Sequence, residues 1–212
     1  MITIISPQHY KTIPWKNGQG ETTELAINEG GTLDDFNWRL SIASVSENGA
    51  FSDFSGYSRH LVFIAGEGIT LKHTHHKNGA QIDPLVNLLA MSSFDGGCKT
   101  NGELVSGPIK DFNIMTKNGV FSAVVNRYVD QQKVSLSKHV AYFVYCLDKD
   151  MLFHVNDLSP PLSNGEIKCE NQRLPAQHLL KISAKNNKNI TLMGEKMIVV
   201  ALSKNNNMDE LC

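Results

Sequence analysis

The residues best suited to chemistry gather near the start of the chain, in Pro14-Trp15-Lys16-Asn17-Gly18-Gln19-Gly20-Glu21-Thr22-Thr23-Glu24-Leu25. Within a dozen positions stand an ammonium, amides, hydroxyls, carboxylates and an indole, spaced around two glycines. This set can recognise a small polar molecule that carries an anionic group. Lys16 supplies charge, Asn17 and Thr22 supply orienting hydrogen bonds, and Trp15 covers the ligand. Gly18 and Gly20 let the backbone come close, and Glu24 can hold a neighbouring cation through a charge-assisted bond. The spacing is not that of a dinucleotide fingerprint, because Thr23 occupies the third glycine position, and no phosphate-binding Gly-x-x-x-x-Gly-Lys loop occurs.

Two arginines add to this set. A planar guanidinium at Arg59 can grip a carboxylate with two parallel hydrogen bonds; the plainer alternative is a surface pair with Asp53. If the strand face bearing Arg39 lines an interior, that guanidinium needs a partner, and an anionic ligand is one option. Asp111, Asn113 and Met115 share one strand face, opposite Phe112 and Ile114. Inside a barrel such a face is a ligand wall; outside it is solvated. His73-Thr74-His75-His76 invites a metal, but no Glu or Asp follows at a suitable spacing. Asn78-Gly79 further places these imidazoles at a hairpin tip in water, so the expectation is adventitious metal binding only, with no metal and no cofactor assigned. No Gly-x-Ser-x-Gly elbow is present, and Cys98, Cys146, Cys169 and Cys212 form no Cys-x-x-Cys pair.

The elements that position these groups are strands. Trp38-Arg39-Leu40-Ser41-Ile42-Ala43 alternates with period two, and short β-branched and aromatic runs follow at Arg59–Ala65, Gly68–His73, Lys110–Thr116, Val120–Arg127, Val140–Leu147 and beyond. Asn118-Gly119 reads as a type I′ hairpin turn, and Asp83–Met91 as one short helical turn. The chain also repeats itself weakly. Arg59–Ile64 lies over Lys138–Phe143 and Gly107–Met115 over Gly194–Leu202, at offsets of 79 and 87 residues. Two β-modules, 1–125 and 126–212, are therefore expected.

Composition sets outer limits. The 212 residues carry a formal net charge of -1 and are 41% hydrophobic, enough for a core and without the positive field that draws a chain to nucleic acid. No apolar run approaches the roughly 18 residues that cross a bilayer. Met1-Ile2-Thr3-Ile4-Ile5 lacks the basic lead of a secretion signal. A cytoplasmic protein without nucleic-acid or membrane partners is expected.

Five ordered motifs carry a resemblance: Pro14-Trp15-Lys16-Asn17-Gly18-x-Gly20-x-Thr22-x-Glu24, Trp38–Ala43, Phe51-Ser52-x-Phe54-x-Gly56-x-x-Arg59, Phe94-Asp95-Gly96, and Gly107-Pro108-x-x-Asp111-Phe112-Asn113-x-Met115. Together they resemble the HutD/Ves family of bacterial cytoplasmic proteins. The resemblance implies an all-β bicupin, two β-sandwich or jelly-roll barrel modules in one chain. It also implies a pocket in the first module built from the Trp-Lys-Asn-Gly loop, Arg39, Arg59 and Asp111–Met115. The metal pattern of other cupins is absent after His73-x-His75 and around His178. The HutD branch is associated with histidine-utilisation operons and the Ves branch with cold response; neither brings an established catalytic activity. The expected role is binding of a small carboxylate such as urocanate or formate, in a sensing or regulatory setting. Two other readings stand beside it. One is a metal-independent isomerase or lyase with Glu24 or Asp111 as general base; the other is an interaction protein, for which a homodimer is one arrangement.

Overall fold

The computed structural model describes residues 1–15, 20–75, 79–156 and 169–205, the side chains of residues 75, 79, 156, 169 and 170 excepted. Lys16, Asn17, Gly18 and His76 thus lie outside the described residues. The strands of the first half are β1 (Ile2–Ile5), β2 (Lys11–Pro14), β3 (Gly20–Ile27), β4 (Trp38–Val45), β5 (Gly49–Ala50), β6 (Tyr57–Ala65), β7 (Ile69–His75), β8 (Gly79–Leu85), β9 (Met91–Asp95), β10 (Lys99–Leu104) and β11 (Ile109–Lys117). The second half holds β12 (Phe121–Tyr128), β13 (Gln132–Leu136), β14 (Ala141–Cys146), β15 (Met151–Asn156), β16 (Cys169–Leu174), β17 (Leu179–Ile182), β18 (Asn189–Gly194) and β19 (Met197–Lys204). The all-β architecture expected from the alternation is the one adopted. No helix among the described residues is long and apolar enough to cross a membrane.

The strands form two units. His9–Ala123 makes the first, with a six-stranded sheet in the order β2-β3-β4-β11-β6-β9 and a four-stranded sheet β5-β10-β7-β8. Its interior packs Val45, Leu61, Phe63 and Ile109 of the larger sheet against Ile69, Leu71 and Leu85 of the smaller. The second unit takes Val124–Ser203 together with Met1–Gln8 and holds the sheets β1-β17-β14-β19-β12 and β13-β18-β15-β16. Val144, Leu180 and Val199 there meet Phe153, Ile190 and Leu192 across the sandwich. Each such side chain contributes about 1.5–3 kcal/mol on burial, enough to set which strand face turns inward.

Three expectations are corrected. The boundary at residue 125 misses that β1 pairs with β17, from Ile2↔Ile182 to Ile5↔Leu179, so the first eight residues group with the second unit. Asn118-Gly119 does not close a hairpin. Of the two, Gly119 alone has a positive φ (75°) where a type I′ turn needs both, and the turn carries the chain from β11 into β12, which belongs to a different sheet. Asp83–Met91 is not helical: β8 runs through Asp83-Pro84-Leu85 as an edge strand, where a proline costs no ladder bond.

Candidate functional site

Three adjacent strands of the six-stranded sheet supply the polar interior face. Antiparallel register puts Met115 of β11 opposite both Arg39 of β4 and Arg59 of β6, Asn113 opposite Ser41 and Leu61, and Asp111 opposite Ala43 and Phe63. Period-two alternation sends these side chains to one face and Leu40, Val62, Phe112 and Ile114 to the other, and both sets are buried. The question left open by the sequence is thereby answered: the face bearing Arg39, Asp111 and Asn113 points inward. Two bulges aim it further. The register shifts between Glu24 and Ala26 where β3 meets β4, and between Lys110 and Asp111 where β11 meets β6.

A cavity of about 500 Å³ opens above this face, within the usual range for small-molecule sites. Ile13, Leu33, Val45, Phe51, Phe54 and Met115 make much of its wall; Trp15, Thr22, Arg39, Ser41, Arg59 and Asn113 give it polar points. Trp15 donates its indole N–H to Thr22 Oγ1 at 2.8 Å, and its backbone N–H to the Gly20 carbonyl at 2.9 Å. Gly20 has no room for a side chain: a Cβ there would strike the Ser44 carbonyl and lie 3.0 Å from the Trp15 ring. Its contribution is the space that lets the indole lie flat on the strand. Lys16, Asn17 and Gly18, the expected cation, amide and close-approach glycine, fall outside the described residues.

Arg59 lies at the centre of the arrangement. It is only 5% exposed, and its Nε donates to Asn113 Oδ1 at 2.9 Å. Its guanidinium carbon sits 5.0, 5.4 and 5.9 Å from the ring centres of Phe51, Phe94 and Phe54. Burial, partly offset by Asp111 and reinforced by Arg39, lowers its pKa to about 10, so the group stays charged at neutral pH. The surface pair with Asp53 is not formed; Asp53 accepts from the Ser55 amide and hydroxyl. Among the described residues the terminal nitrogens of Arg59 have no hydrogen-bond partner. Arg39 is held differently: its Nε donates to Glu24 Oε2 at 2.7 Å, the charge-assisted clamp expected of Glu24.

Asp111 is fully buried and is not among the residues that line the cavity. One of its oxygens accepts from the Asn113 side-chain amide; the other, Oδ2, has no partner among the described residues. Burial raises this carboxyl to about 7, against the opposing pull of Arg59 and the Asn113 bond.

The aromatic box around Arg59 escaped sequence reasoning, in which Phe51 and Phe54 stand only as positions of a motif. The signal available was their spacing ahead of an Arg at a strand start. Gly102 belongs to the same device, because a Cβ there would come 2.7 Å from the Phe51 ring. His73 is a correction. It does not stand at a hairpin tip in water but is 1% exposed, its ring centre 4.3 Å from that of Phe94 and tilted 39° to it. Its Nδ1 meets Thr100 Oγ1 at 2.8 Å, and its Nε2 lies 3.2 Å from Ser92 Oγ and 3.5 Å from Asp83 Oδ2. It sits in the body of β7, where the interior claims alternate residues. Among the described residues no group of three or more His, Cys, Asp or Glu side chains gathers as metal ligands. Cys146 is a buried thiol pushed up to about 12 by burial and Asp150, which leaves it unreactive.

A Pseudomonas putida protein described as an uncharacterized 21.2 kDa protein in the hutC 3′ region is 38% identical over 114 residues, 54% of this chain and 57% of that protein. Protein Ves of Escherichia fergusonii is 36% identical over 104 residues, 49% of this chain and 51% of that one. The chain thus spans about half the length of the curated relatives it matches. Across nearly the whole chain, HutD from Pseudomonas fluorescens SBW25, solved in a formate condition, superposes with a TM-score of 0.75 at 25% identity, covering 96% of this chain and 99% of that one. The oxalate decarboxylase of Lactobacillus farciminis, at 8% identity, shares the fold alone, with a TM-score of 0.63 over 96% of this chain and 86% of its own. The family model named HutD matches residues 7–200, and with the two-module architecture and the ordered motifs of β3, β4, β6 and β11 this places the chain in the HutD family.

Proposed function

We propose that this chain binds a small carboxylate in the cavity of its first unit, and that it does so to sense or regulate rather than to catalyse. The observation that carries this reading is Arg59, a buried cation fixed through Nε by Asn113 and flanked by three rings, with both terminal nitrogens free of partners among the described residues. A carboxylate fits that pair of nitrogens with two parallel hydrogen bonds. The apolar wall accommodates an organic body beyond the carboxylate, and Trp15, Thr22 and Ser41 lie along its course. Lys16, Asn17, Gly18 and Gly20 complete the site in this reading. The formate condition of the Pseudomonas fluorescens structure makes formate a natural first probe. The hutC 3′ region in the description of the Pseudomonas putida relative supports a link to histidine utilisation; a cytoplasmic setting, and cold response as the alternative that the resemblance to the Ves branch offers, belong to the same proposal.

Binding is favoured over catalysis because neither expected base is presented to the cavity. Glu24 is clamped by Arg39, and Asp111 is not on the cavity wall. Thermal-shift titration with formate, urocanate, glutamate and formiminoglutamate tests the reading. A ligand at one hundred times its Kd stabilises by about 2.7 kcal/mol, which for a chain of this size is about 5–10 °C. At least one carboxylate is expected to produce such a shift in the wild type and none in a folded Arg59→Ala variant. A flat response of the wild type to all four would overturn it.

A further inference from the structure

Asp111, Asn113 and Arg59 form a relay with a fixed direction. The Asn113 amide turns its NH2 toward Asp111 Oδ1 and its carbonyl oxygen toward Arg59 Nε. Asp111 Oδ1 can only accept and Arg59 can only donate, so no other orientation of the amide satisfies both ends. The second carboxyl oxygen, Oδ2, is buried without a partner among the described residues. It is therefore the atom that can gain a proton without breaking any bond in the relay.

The group that acts on Asp111 is Arg59 of β6; the other charged groups of this unit's interior and cavity wall are Arg39 of β4 with Glu24 of β3, Glu47 at the wall, and His73 of β7 with Asp83 of β8. Arg39 already has Glu24 as its partner. Among the described residues Arg59 has no carboxylate in contact, and Asp111, one amide away, is the carboxyl whose charge acts on it. An anion seated on the terminal nitrogens of Arg59 places a second negative charge against the same cation, in a buried setting where two like charges strongly disfavour each other.

We propose that Asp111 is a positioning residue that makes this site take up a proton together with its anion, acting on Arg59 through Asn113 without touching the ligand. The proposal rests on the anion-binding reading of the cavity. Its sign is definite. With Asp111 protonated, the full charge of Arg59 is available to the ligand; with Asp111 ionised, the two carboxylates compete. The empty-site carboxyl titrates near 7, so affinity falls as pH rises from 6 to 8. A rise of one pKa unit on binding makes that fall about fivefold, and larger rises bring it toward tenfold.

The test is calorimetric titration of the full chain with formate, which stays ionised over this range, at pH 6, 7 and 8 in two buffers of different ionisation enthalpy. Expected are net proton uptake at pH 7 and an affinity about fivefold or more weaker at pH 8 than at pH 6. Asp111→Asn, which preserves the acceptor for Asn113, is expected to bind formate with equal affinity at all three values. His73→Gln is expected to keep the wild-type pH dependence. Formate binding that is pH-independent and without proton uptake in the wild type overturns the proposal while leaving the anion site intact. So does a wild-type pH dependence that survives in Asp111→Asn. Absence of formate binding at every pH overturns the proposal together with formate as a ligand of this cavity. Should Asp111→Asn not fold, the two-buffer measurement on the wild type decides alone.

Discussion

The two units share a ladder but not an interior. The order β9-β6-β11-β4 of the first is matched by β17-β14-β19-β12 of the second, and β8-β7-β10-β5 by β16-β15-β18-β13. Where the first unit pairs Arg59 with Met115, Leu61 with Asn113 and Phe63 with Asp111, the second pairs Tyr142 with Ala201, Val144 with Val199 and Cys146 with Met197. The His73–Thr100 pair of the first has Val155–Ile190 on the matching strands of the second. At these matched positions the second unit carries no charged side chain, so the architecture closes without one. The buried Arg, Asn and Asp of the first are therefore not what the fold demands, and their desolvation is tolerated for another purpose. That contrast is the physical ground on which the proposed site is put in the first unit.

Three variants would break or sharpen this comparison. The largest effect is expected in the second unit. Val199→Asp puts a carboxyl into an interior with no arginine to meet it, and should cost about 3–5 kcal/mol in chemical denaturation at pH 7. Tolerance of that change would mean the second interior is wetter than its packing implies. Next, the pair Arg59→Met with Asp111→Leu converts the first interior toward the second. It should stabilise the chain by about 1–4 kcal/mol while formate no longer raises the Tm. A loss of stability instead would show that the polar relay is structural. The smallest effect belongs to Glu24→Gln. With Glu24 partly exposed, weakening its bond to Arg39 should cost about 1 kcal/mol, read as a change in denaturation midpoint.

Much of this was legible beforehand because alternation encodes strand faces directly. Trp38-Arg39-Leu40-Ser41 states which residues share a side, and the motifs around Trp15, Arg39, Arg59 and Asn113 name the groups that converge. What alternation cannot state is which side is inward when both are covered. Arg39 and Leu40 are equally buried, and only the facing sheet distinguishes them. Bulges are invisible for the same reason, since one extra residue at Leu25 or Ile64 leaves the local pattern intact while re-aiming its neighbours. The internal repeat was seen several residues out of register, because Lys138 was laid on Arg59 whereas strand pairing puts Tyr142 at that place. His73 misled because its neighbours suggested a turn, while its own position belonged to the strand interior.

The pairing of β1 with β17 bears on how the polypeptide is made. Ile2–Ile5 leaves the ribosome well before Leu179–Ile182, and at ordinary elongation rates the interval is about 9–35 s. Throughout that time both sheets of the first unit can assemble, since every strand in them lies between Lys11 and Lys117. The cavity that holds Arg59 is thus made before Leu179–Ile182 emerges, while Ile2–Ile5 must remain an unsatisfied edge until that mate is delivered.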